Sequence, residues 1–142
     1  MGQLIDARTS SNITTVLDEF DTFPLDTPVL VGQVGLTIPP ATPGVIRVQL
    51  TGMVGAALPT DFPTSFLLEL YMVRGLTIND LLIFKSLNSF ESGIHTVAFS
   101  ASDYNVPAPV SGLLPYTLFA IARSEGIGRV GPENLNASAY TG

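Results

Sequence analysis

Apolar and polar residues alternate in short runs along most of this chain, and Pro and Gly punctuate the gaps between runs. From Val29 onward the pattern predicts seven β-strands. VLVGQVGLTI (29–38) stops at Pro39-Pro40, and VIRVQLTGMV (45–54) follows the turn ATPG. In the second run Ile46, Val48 and Leu50 share one face, with Arg47 and Gln49 on the other, because successive strand side chains point to opposite sides. SFLLELYMV (65–73) sets Phe66, Leu68, Leu70 and Met72 against Glu69 and Tyr71. LLIFKSL (81–87), GIHTVAFSAS (93–102) and YTLFAIARS (116–124) follow. In the last run, NLNASAY, Leu135, Ala137 and Ala139 oppose Asn136, Ser138 and Tyr140. TINDLLIFKSL (77–87) also carries Ile78, Leu81 and Leu82 at helical spacing behind a Thr77 cap, so a helix competes with a strand there. Short strands at this spacing, with turn residues between them, predict an all-β antiparallel sandwich.

Residues 1–28 read differently. Their apolar positions are sparse, Pro24 and Pro28 interrupt them, and they hold five of the twelve acids beside the single base Arg8. This segment is expected to be an extended arm that orders against a neighbour, leaving 29–142 as the sandwich domain. Within it ITTVL (13–17) is the best candidate to add a strand to an exposed sheet edge, with Ile13, Val16 and Leu17 as its docking residues. On this reading, deleting residues 1–25 leaves a folded oligomer.

Composition changes the picture in one respect. Of 142 residues 46% are hydrophobic but only 13% are charged, about half the usual share. Few charges remain to cover the surface of one domain, which favours hiding part of it against other copies of the chain. The net charge of −6 and six scattered Lys and Arg offer no basic stripe for nucleic acid or for an anionic membrane. No signal peptide or spanning segment is visible, and the longest apolar run, SFLLELYMV, carries Glu69.

Candidate chemistry is thin. No Cys is present, so disulfides, thiolate metal sites and a cysteine nucleophile are excluded. His95 is the sole histidine and lacks partners for a triad or a zinc site; a strand face or a subunit contact suits it better. Asp18, Glu19 and Asp21 do not match a calcium loop, while Asp61, Asp80 and Asp103 stand among turn residues as loop caps do. Gly126, Gly128 and Gly131 spell G-x-G-x-x-G, but Pro132 and a strand follow where a dinucleotide site needs a helix; a glycine-rich hairpin turn is expected. No catalytic, metal or cofactor residue is assigned, and no enzymatic activity is expected.

The stretches FSASDYNVPAPVSGLLPYTLFAIARSEG (99–126) and RVGPENLNASAY (129–140) resemble small spore-surface proteins of Bacillus- and Clostridium-like bacteria. Those look like the C-terminal jelly-roll domains of exosporium filaments, in the broad manner of the tumour-necrosis-factor fold, although the collagen-like stalk is absent here. The resemblance implies a jelly roll of seven or eight strands, a homotrimer or higher self-assembly, and other spore-surface proteins as further partners. It also implies synthesis in the mother-cell cytosol without a signal peptide and placement on the exosporium. Alternation nominates Phe119, Ile121 and Tyr140 for the trimer axis. Two other classes stay open: a jelly roll recognising glycans or a receptor, with Tyr71, Tyr104 and Tyr116 stacking on sugars, and a phage or virus structural protein such as a decoration or fibre head.

Overall fold

A computed structural model of the chain describes residues 2–15, 17, 21–58 and 66–142. Eight strands follow one another: β1 (Gln3–Ile13), β2 (Val29–Thr37), β3 (Ile46–Leu58), β4 (Phe66–Arg74), β5 (Leu81–Phe90), β6 (Gly93–Val106), β7 (Leu113–Ala122) and β8 (Gly128–Thr141). Strand β1 pairs with β8, β2 with β7, β3 with β6 and β4 with β5, all antiparallel. The chain is therefore one long hairpin bent between β4 and β5. It is rolled so that β8 also pairs with β3, and β7 with β4. Two four-stranded sheets result, ordered β1-β8-β3-β6 and β2-β7-β4-β5. This is an antiparallel jelly-roll sandwich.

The predicted alternation locates the core. Ile46, Val48 and Leu50 of β3, and Leu135, Ala137 and Ala139 of β8, meet Phe66, Leu68, Leu70 and Met72 of β4 between the sheets. Strand β7 is buried on both sides: Tyr116, Leu118, Ala120 and Ala122 join this core, while Thr117, Phe119 and Ile121 are buried on the outward side. A central strand with neighbours on both edges shields its outward side chains between theirs. The described residues contain no helix, and 81–90 is a strand. The Asp80 carboxylate accepts the Leu76 and Thr77 N–H groups at 2.9 Å each, closing a turn where the helical reading needed a continuing spiral. Those two bonds hold its pKa below the ordinary carboxylate value.

Three expectations need correction. The N-terminal arm is not an appendage, because β1 is an edge strand of the first sheet, paired with β8 from Gln3 to Ile13. Behind it, Phe23 is part of the core, and its N–H reaches the Ile127 carbonyl at 2.8 Å. The sandwich therefore does not begin at 29, and removing residues 1–25 would strip a strand and a core side chain from it. Second, the Gly-Pro dipeptide makes no hairpin turn. The connection bends at Gly126, whose φ of 85° suits glycine, whereas the cis Gly131-Pro132 bond lies inside β8. There β3 and β8 change register between Val54 and Ala56, and Gly55 packs so closely on the Gly131 carbonyl that no Cβ fits. Third, Asp103 caps no loop; it is buried on β6.

Candidate functional site

The outward side of the second sheet gathers the apolar residues that the core does not use. Phe119 on β7 stands opposite Tyr71 on β4 and Leu30 on β2, and Ile121 stands opposite Glu69. Glu69 in turn faces Leu87 on β5, and Val73 faces Leu82. Phe119 and Ile121 are only 8% and 4% exposed, so the surface that could be covered belongs to Leu87 (60%), Leu30 (43%) and Leu82 (40%). In the middle sits a buried carboxylate. Glu69 accepts from Arg123 Nε at 3.0 Å and lies 3.6 Å from Lys85 Nζ, while Arg123 also reaches Asp26 at 3.0 Å. Its hydrogen bonds to Asp26 and then to Glu69 raise the Arg123 pKa further, so this guanidinium stays charged. The four charges, Glu69 and Asp26 with Lys85 and Arg123, neutralise one another and leave a face that is apolar at its margins.

The outward side of the first sheet is different in kind. Gln49 and Thr51 of β3 stand across from Ser138 and Asn136 of β8, and Ser102 and Ser100 of β6 lie on the other flank. This is a neutral surface of hydroxyls and amides. Tyr140 belongs here, directly opposite Arg47. The residues nominated for a trimer axis are thus divided: Phe119 and Ile121 share one outer face, and Tyr140 lies on the opposite one.

The arm residues dock within their own chain. Ile13 pairs with Glu133 at the end of β1, and the Leu17 N–H donates to the Val130 carbonyl at 2.8 Å. Val16 lies outside the described residues, as do Asp18, Glu19 and Asp61. Of the three tyrosines proposed to stack on sugars, Tyr116 is buried in the core, Tyr71 is half-buried and Tyr104 is 70% exposed.

Between the sheets lie two charged clusters that sequence alone did not pair. Arg74 at the end of β4 grips Asp103 of β6 with two bonds of 2.7 Å, and the Tyr116 hydroxyl donates to the same carboxylate at 2.8 Å. Burial is the main cause that pushes the Tyr116 pKa far above its ordinary value. Glu133 on β8 is fully buried and held by Arg129 Nε and Nη2 at 2.6 and 2.7 Å, and by Asn12 Nδ2 at 2.7 Å. Each carboxylate is saturated by its donors, so these clusters tie strands together rather than present a reactive group. The four-residue spacing of Arg129 and Glu133 was visible in the sequence, but the Arg74–Asp103 contact spans both sheets and no local pattern reports it.

His95 on β6 stacks its ring on Phe90 at 4.9 Å and donates from Nε2 to the Glu91 carbonyl, 3.0 Å away. Among the described residues no group of three or more His, Asp or Glu side chains converges as a metal site would.

No family model matches the chain, and no curated protein matches it. Among solved structures it is similar to a chain of the cowpea mosaic virus empty virus-like particle, at 8% identity and a TM-score of 0.38, covering 99% of this chain and 80% of that one. It is also similar to a chain of the naturally occurring empty particles of the same virus, at 13% identity and a TM-score of 0.32, covering 99% and 83%. At these identities the likeness is confined to fold.

Proposed function

We propose that this chain is a structural protein that associates with copies of itself through the outward side of β2-β7-β4-β5. One observation carries the reading: Leu30, Leu82 and Leu87 are exposed around a centre whose charges are already paired, Lys85 and Arg123 with Glu69 and Asp26. Covering such a face removes apolar area from water without stranding a charge, and each fully buried leucine is worth about 1.5–3 kcal/mol. A chain with only 13% charged residues supports the same reading.

A trimer is the order that the sequence resemblance implies, with the spore surface as its setting. The same self-association suits a phage or virus shell component, since jelly rolls build viral capsids as a class. Labelled antibody on intact spores and electron microscopy of the purified protein separate these settings: surface label favours the first, closed shells the second.

The association itself is tested by light scattering of the wild type and of a Leu30→Lys/Leu87→Lys double variant. The wild type is expected to be oligomeric at micromolar concentration, and the variant to dissociate at least about tenfold more readily. A monomeric wild type overturns the proposal.

A further inference from the structure

We propose that a cleft at Arg47, on the outward side of the first sheet, binds a sugar acid through its carboxylate. The cleft has a volume of about 290 Å³ and is lined by Gly2, Arg47, Gln49 and Tyr140. That is near the lower end of small-ligand sites, roughly 300–1,000 Å³. Strand register builds it: Arg47 on β3 stands directly between Tyr140 on β8 and Tyr104 on β6. Gly2 closes one side without crowding it, since a Cβ there would come to 3.1 Å from Arg47 Nη2.

Charge bookkeeping singles out this arginine. Among the described residues the other five bases are ion-paired: Arg8 with Asp6, Arg74 with Asp103, Lys85 and Arg123 with Glu69, and Arg129 with Glu133. Arg47 meets no Asp or Glu side chain there, although the chain carries a net charge of −6. Its Nη2 makes one long contact, 3.4 Å, to an oxygen of Gly142, and its Nε is buried without any hydrogen-bond partner. A buried donor left unpaired is costly, and a guanidinium fork is shaped for a carboxylate.

The surroundings favour a sugar acid over a bare anion. Tyr140 offers an aromatic surface for the C–H face of a pyranose ring, and the Gln49 amide can both donate to and accept from ring hydroxyls. Nothing in this inference depends on self-association, because the cleft lies on the opposite face of the sandwich.

The test is a titration of the wild-type protein with glucuronate, glucose and acetate, followed by amide NMR shifts and calorimetry. Glucuronate is expected to saturate, to move the amides of Arg47, Gln49 and Tyr140, and to bind at least about tenfold more tightly than glucose or acetate. Arg47→Gln should abolish that preference, whereas Arg8→Gln should keep it. Gly2→Phe, which fills the cleft away from the core, should also remove binding, so misfolding of the arginine variant would not spare the proposal. Equal binding of glucuronate and glucose, or unchanged binding by Arg47→Gln or Gly2→Phe, overturns it. Acetate binding as tightly as glucuronate overturns the sugar requirement.

Discussion

At the scale of single residues, the sandwich depends on polar groups that were hard to rank from sequence. Asp103 and Tyr116 look unremarkable in SDYNV and LLPYTL, yet they meet across the core with Arg74. Strand alternation could place Asp103 on the inward side, but not the partner waiting on the other sheet. Asp103→Ala would leave the Arg74 guanidinium facing an apolar interior. Its side chain is 20% exposed, so a loss near the lower end of the usual range is expected, about 3 kcal/mol by urea unfolding. Tyr116 adds a pH dependence. Its folded pKa lies above its ordinary value of 10.0, so its contribution is fully present below that pH. Above it the unfolded chain ionises first, and stability should fall by about 1.4 kcal/mol by about pH 11 from this group alone. Tyr116→Phe is expected to start lower at neutral pH and to lack this alkaline decline; parallel curves for the two proteins would refute the assignment.

Elements were legible in proportion to how much apolar surface they bury. Strands β2 to β8 place side chains in the core or under a neighbouring strand, and each was visible as alternation or as an apolar run. Strand β1 was missed because its contribution is made by backbone. QLIDARTSSNI places the N–H and C=O groups of its inner edge on β8, while only Ile5 packs partly against the core. A strand held by its main chain at a sheet edge needs no hydrophobic pattern. The outward face of the second sheet was half-legible: Glu69 and Tyr71 were placed outward, but Leu30 and Leu87 acquire meaning only once β2 and β5 flank β7 and β4. Strand β8 occupies the opposite extreme from β1, paired on both edges and, from Leu135 to Ala139, apolar inward. Removing residues 135–142 is therefore expected to unfold the protein, with loss of the β-sheet circular dichroism signal and of a sharp thermal transition. A truncated chain that still melts cooperatively would show that the tail is peripheral.

For the whole molecule, the two outer faces divide the work by chemistry. One is apolar with internally neutralised charge, and the other is polar, with one arginine, Arg47, that meets no Asp or Glu among the described residues. Self-association should accordingly respond to substitutions on only one of them. In the light-scattering comparison Gln49→Lys is expected to leave the oligomer intact, while Leu30→Lys/Leu87→Lys dissociates it. Dissociation by Gln49→Lys would move the interface to the other face. Composition foreshadowed this division through its scarcity of charge, but could not say where on the surface the scarcity lies.

The rolled hairpin also constrains how the protein is born. The last two of the eight strands to be made, β7 and β8, stand in the middle of the two sheets. Until they emerge, β3 and β4 each wait with an apolar face uncovered and one edge unpaired. The sandwich therefore cannot close before β8 has been made, and most of its pairing joins strands far apart in the chain, which makes folding slow.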